Sequence, residues 1–436
     1  MNLDTVFDQQ SPATSFTFVP TEAKTDLLEY VSKVTSQTAA LKKAPEFFAA
    51  KELVLSGQKL PKPRVRYAEA SEIDAALVEV DAVIHPHLEA MRRAGARQRT
   101  TMDKIMAIIK KGSIQTSLTR FEDPEAMRVF TTRLRETIEC GAPVVLAMPQ
   151  GGGKTHMPLK TGNFGLLPDF SEFLSLKMRA ALVTAVREVY AGGAHMIDVS
   201  DAPLHTRDLG VCPAASKRHI TQLWSDLARL GIKDEVIVAD TPNFLPPNWL
   251  EAIDEGTREV RHNIEQDPGV RAGAEEQVQS LLFAKNCTEI WPSQEETLLG
   301  FAVIAGAPDG VPEATAALAR AFEQETREVV AMYMAINHHG IRGMRLIERV
   351  VERLGFSPER YLRLSVHAKP GNPRPALSIS NHMAPPALLP KHSVGLRILG
   401  GKPRWGLTFD LVAKMRGWDA VYEAETGRFM YYEGAA

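Results

Sequence analysis

The feature that most restricts the fold is a strict alternation of helix-period and strand-period segments between residues 123 and 241. "DPEAMRVFTTRLRETIECG" opens on an acidic cap with proline in its first turn and closes on Gly141, which predicts a helix. "PVVLAMP" follows as a short apolar strand. "DFSEFLSLKMRAALVTAVREVYAGG" is a second helix, stopped by a glycine pair, and "AHMIDVSDA" a second strand. "SKRHITQLWSDLARLG" and "DEVIVADT" repeat the unit once more. Helices and strands alternating at this spacing predict an α/β fold: a Rossmann-like, mostly parallel sheet flanked by helices.

The flanking regions read differently. Residues 1–20 form a leader, and from Thr21 to Lys111 the patterns are mostly helical, interrupted by the proline-basic break "LPKPRVRY". This predicts an N-terminal helical extension over residues 1–115, preceding an α/β domain over 116–436. After Pro242 the chain is helix-rich to Leu354. Four strand patterns follow, "RYLRLSVHA", "RPALSIS", "SVGLRIL" and "RWGLTFD", and then a hairpin, "DAVYEAETGRFMYYE", turning near Thr426-Gly427.

Charge and cysteine content exclude several classes. A formal net charge of -2 provides no global field for nucleic acid or an anionic membrane, so any anion site must be local. Three dispersed cysteines without CxxC spacing argue against a disulfide framework or a structural zinc. The N-terminus lacks a basic region followed by an apolar one, and no apolar run approaches the roughly 20 residues that cross a bilayer. These readings predict a cytoplasmic protein that binds neither nucleic acid nor membrane. They leave the oligomeric state open.

The stretch "MPQGGGKTHMP" invites a P-loop reading, but the signature GxxxxGK[ST] fails. The position five before Gly153 is Met148, and Pro158 prevents a helix from starting at the lysine. What survives is Lys154 on a glycine-rich loop at the C-terminal end of a strand, the edge where ligands sit in open α/β sheets. A solvated surface lysine is the other reading, and the local sequence does not separate them. Asp201, at the end of "MIDVSD", occupies the same edge. It suits an acid, base or hydroxyl-binding role, or a turn. Asp169 and Glu172 stand three apart before an apolar run, which predicts a capping box rather than catalysis.

A local cationic region is the strongest signal outside the α/β repeat. Residues 363–404 contain seven Lys or Arg and three His, with no Asp or Glu where the chain's overall acid content predicts about five. Strand alternation in "RLSVHAK" puts Arg363, Ser365, His367 and Lys369 on one face, which suggests a site lining rather than a packed core and favours an anionic-ligand site over a solvated face. Lys391, His392 and Arg397 belong to the same region. His338-His339-Gly340 reads as a helix end rather than a metal site, and HExxH and GxSxG are absent.

The segment from Val144 to Val211 resembles the core of the isocyanide (isonitrile) synthases of the pyoverdine/dityrosine biosynthesis family. The resemblance rests on Pro149, Lys154, Leu167-Pro168-Asp169, Glu172, Tyr190, Gly192 and Ser200-Asp201. "LRLSVHAK" and "LPKHSVGLRI" resemble two later family segments, so the likeness extends over roughly residues 120–436. Two positions depart from the family pattern: Ala202-Pro203 replaces Gly-Arg after Ser-Asp, and Lys391 replaces tryptophan before His392. The resemblance implies condensation of an amino acid's amine with the ketone of ribulose 5-phosphate, both small-molecule substrates, without metal or cofactor. Lys154, Asp201, His367 and His392 would carry out the chemistry. Arg363, Ser365, Lys369, Lys391 and Arg397 would grip the substrates.

Overall fold

The computed structural model describes residues 61–112, 124–149, 167–208, 212–270, 331–364, 395–399, 406–408 and 410–435, with isolated positions near residue 50. Four strands make a wholly parallel sheet: β2 (Val144–Pro149), β3 (Ala194–Ser200), β4 (Val236–Asp240) and β5 (Leu362–Arg363), in the order β4-β3-β2-β5. A second, mixed sheet has the order β1-β8-β9-β6-β7. Its strands are β1 (Val65–Ala68), β6 (Gly395–Leu399), β7 (Gly406–Thr408), β8 (Asp419–Glu423) and β9 (Phe429–Gly434). The architecture is therefore α/β with parallel strands flanked by helices, as the alternation predicts.

The helices are α1 (Ala70–Ala96), α2 (Thr101–Gly112), α3 (Pro124–Glu139), α4 (Phe170–Arg187), α5 (Pro213–Arg229), α6 (Trp249–Gln266), α7 (Leu346–Arg353) and α8 (Asp410–Arg416). The parallel register fixes which face each strand residue occupies. Ala194, Met196, Val236 and Val238 join the core built around α4, whereas Ile197, Val199 and Ala239 join the cluster around α6 and α7. Period-two alternation thus turns one sheet towards two separate apolar layers, each covered by its own helices.

Helix α4 is the central element, with fifteen of its eighteen residues buried. It touches β3 and β4 of the parallel sheet and β6 and β9 of the mixed one. A helix buried all round needs apolar residues on every face or paired polar ones. Its start is the capping box that the sequence predicts. Asp169 accepts from the Ser171 N–H at 2.8 Å, and the Asp169 N–H donates to Glu172 at 2.9 Å.

The proline-basic break is itself a strand. Val65–Ala68 pairs in parallel with Ala420–Glu423, so the segment read as a break between helices contributes an edge strand to the sheet made by the end of the chain. α1 packs on α2 and α4 and joins the same core. The first helical pattern, residues 21–43, and the "RPALSIS" strand lie outside the described residues.

Candidate active site at the parallel-sheet edge

Strand order reverses between β2 and β5. From β2 the chain winds through α4 to β3 and through α5 to β4 on one side, whereas β5 joins β2 on the other. At such a reversal the loops leaving the carboxyl ends of the strands diverge and open a crevice for ligands. The register pairs Leu146 with Leu362 and Ala147 with Arg363, and the Leu364 N–H donates to the Ala147 carbonyl at 2.8 Å. Both strands therefore run out at one edge, side by side. Lys154 follows five residues after Pro149, and Ser365, His367 and Lys369 follow Arg363. All four side chains lie outside the described residues, as do Lys391 and His392.

Asp201 is half-buried directly after β3, next in the sheet to β2. It opens a short 3₁₀ turn, Ala202–His205, closed by the Leu204 N–H donating to the Asp201 carbonyl at 3.0 Å. That turn carries two residues that the sequence reading missed. The Nδ1–H of His205 faces Asp208 Oδ2 at 2.8 Å, with both side chains buried, and its ring lies 5.5 Å from that of Tyr333. Burial pushes the Asp201 carboxyl above the ordinary carboxylate range, against the attraction of His205 and with help from Asp208. Burial also disfavours the His205 imidazolium. The hydrogen bond and charge of Asp208, with the charge of Asp201, outweigh that effect and raise the histidine's pKa.

This arrangement has definite chemical capacity. Asp208 fixes the ring orientation and the Nδ1 proton, which leaves Nε2 as the working nitrogen, as in other carboxylate-oriented histidines. Asp201, its pKa raised by burial, is held nearer its protonated form than an exposed aspartate. The sequence signal for His205 and Asp208 was their i, i+3 spacing directly after a strand end. It is visible in retrospect, but too common in turns to single out.

The surroundings are unusual in backbone. The π-helix Ile336–Gly343 contributes Ile336 and Ile341 to the cluster that holds Leu204, and π-turns concentrate at functional sites. His338 and His339 sit inside this π-helix rather than at a helix end, and their side chains are outside the described ones. Gly340 does not terminate anything. A Cβ there would lie 2.8 Å from Ile253 Cδ1, so glycine is what lets the π-helix approach α6. Arg345, just beyond, is the single non-glycine residue with positive φ (51°) among the described residues.

The two described arginines of the cationic region occupy different sheets. Arg363 is half-buried on β5, in register with Ala147 on the α6/α7 face, and its charge acts on Tyr361. Arg397 belongs to β6 of the mixed sheet. Its neighbour Leu396 points into the core around α4, so Arg397 faces the other way, with its guanidinium 5.6 Å from the Trp418 ring. The structure thus puts Arg363 at the candidate edge and Arg397 on the other sheet, half-buried on the face that carries the Trp418 and Tyr432 cluster. Among the described residues no cluster of three or more His, Cys, Asp or Glu is arranged to hold a metal ion, and no helix is long and apolar enough to cross a membrane.

No family profile matches the sequence, and no curated protein sequence matches it. Among solved structures the chain is similar to the PvcA protein from Pseudomonas aeruginosa. The two are 17% identical, and the superposition covers 76% of this chain and 99% of that one with a TM-score of 0.49. At that level the likeness carries no argument about chemistry.

Proposed function

We propose that the protein is an isocyanide-synthase-like enzyme. It would join the amine of an amino acid to the ketone carbon of ribulose 5-phosphate and fragment the adduct to an isonitrile. The observation that carries this reading is the adjacency of parallel β2 and β5 at the strand-order reversal. The last described residues of the two strand runs, Pro149 and Leu364, end at the same sheet edge as Asp201, and the segments bearing Lys154 and His367 follow them in the sequence. Those segments are also the ones whose motifs resemble the family.

The chemistry needs grips for a phosphate and a carboxylate, and groups that move protons during imine formation and carbon–carbon cleavage. Lys154 and Arg363 supply cationic grips, because charge-assisted hydrogen bonds to either anion are strong. His205, oriented by Asp208, accepts a proton at Nε2, and Asp201 returns one. His367 and His392 remain candidates for the second half of the proton traffic, with Ser365, Lys369 and Lys391 lining the substrate. The setting is a small-molecule enzyme without a metal.

The test is incubation of the purified full chain with ribulose 5-phosphate and a panel of amino acids, trapping isonitrile with a tetrazine. Product with at least one amino acid is expected. His205→Asn should lower turnover about 10²-fold or more, the usual scale for a lost general base. Absence of isonitrile with every amino acid overturns the assignment and leaves other amine chemistry on the same scaffold, or ligand binding without catalysis.

A further inference from the structure

On the opposite face of the same sheet, between α4, β3 and α5, lies a set of buried polar side chains that the proposed chemistry does not use. Glu172, Ser175 and Arg179 share one stripe of α4 at i, i+3 and i+7. Asp198 and Ser200 alternate on the α4-facing side of β3, and Ser216 and His219 share the inner stripe of α5. All seven are at most 5% exposed.

Several of these side chains pair with one another or with a neighbour. Arg179 Nη1 donates to Asp198 Oδ2, and Glu172 faces His219 Nε2 at 3.2 Å. Ser200 pairs in register with Asp240, whose Oδ2 accepts from Lys217 Nζ at 3.2 Å, and Lys217 adjoins Ser216. Five atoms of this set make no hydrogen bond: Ser175 Oγ, Ser200 Oγ, Ser216 Oγ, Arg179 Nε and Asp198 Oδ1. Each such buried atom costs the fold its lost hydration, and five together rival the net stability of an ordinary domain. A packed core does not collect them on three separate elements without a return.

We propose that this cluster is a subsite for an uncharged polyhydroxylated chain, such as the carbon chain of a sugar. Arg179 is matched with Asp198 and Lys217 with Asp240, and Glu172 faces His219. Among the described residues of this set, neither Arg179 nor Lys217 is left unmatched for a phosphate or a carboxylate. What is left over is three hydroxyls that both donate and accept, one donor and one acceptor, the complement of a polyol. Lys217, more than half exposed, marks where the cluster meets solvent at the C-terminal edge of the sheet. The inference stands on these side chains and not on isonitrile chemistry. If that chemistry holds, the subsite takes the hydroxylated part of the sugar.

Ligand-observed NMR of the full chain with ribitol, and separately with inorganic phosphate, tests it. Ribitol is expected to bind. Ser175→Ala and Ser200→Ala should each weaken it about threefold to tenfold, the equivalent of one net hydrogen bond. Phosphate should not displace ribitol. Thermal melting of the free variants separates binding from folding: each should melt no lower than the parent, because it removes an unpaired buried hydroxyl. Absence of ribitol binding, affinity unchanged by both substitutions, or displacement by phosphate would each overturn the subsite. Isonitrile formation without ribitol binding defeats this inference alone, and ribitol binding without isonitrile defeats only the catalytic reading.

Discussion

Arg428 joins the terminal hairpin to the parallel-sheet half of the molecule, and its removal has a calculable consequence. Its guanidinium is 2% exposed. It donates to both oxygens of Asp226 at 2.8 and 3.0 Å, to Glu423 at 2.8 Å and to the Pro168 carbonyl at 3.4 Å. In Arg428→Met, Glu423 keeps Arg229 at 2.6 Å and the Thr426 hydroxyl at 2.7 Å. Asp226 keeps only the Gln222 amide at 3.2 Å. The loss therefore concentrates on one buried carboxylate left without a counter-charge, worth about 3–5 kcal/mol.

Urea unfolding followed by circular dichroism should show the midpoint falling with little change in slope. The deficit should also depend on pH. Burial already raises the Asp226 carboxyl's pKa with Arg428 present, and losing the guanidinium raises it further. A carboxyl with a raised folded-state pKa favours the fold at low pH and loses that contribution as pH climbs through it. The deficit should therefore be smaller at pH 5 than at pH 8. Adding Asp226→Leu should recover part of the loss, because the unpaired charge is then gone. A loss below about 1 kcal/mol, or a double variant no better than the single, would refute the reasoning.

Two further outcomes follow from the same geometry. His205 has a raised pKa, so its protonation stabilises the fold below the ordinary histidine value, and that contribution fades as pH rises through the folded-state pKa. The wild-type urea midpoint should accordingly drop between pH 6.5 and 9 by more than that of His205→Asn, and equal slopes would contradict it. Asp169→Ala removes the acceptor for the Ser171 amide and hydroxyl at the start of the most buried helix. It should cost about 1–2 kcal/mol in chemical unfolding, and an unchanged midpoint would show that the cap is idle.

Much of the fold was legible because its signals are local. Strand period two, helix period 3.6, and glycines such as Gly141 and Gly427, both at φ +64°, write the elements β2 to β4 and the hairpin directly into the chain. The capping box of Asp169 and Glu172 was legible for the same reason, since all its partners lie within three residues. Val65–Ala68 was not. An edge strand four residues long, inside a basic, proline-flanked break, acquires its conformation from pairing with β8 some 355 residues later.

The candidate site divides in the same way. Sequence alone determined that Asp201 stands just beyond a strand end, because strand ends and residue types are local facts. Only the tertiary structure decided that β5 lies against β2 while Arg397 stands on another sheet beside Trp418, and that Asp201 has His205 and Asp208 for neighbours. Strand order and facing depend on which apolar surfaces are buried against one another. That choice is made by the whole chain at once, and no short window of residues contains it.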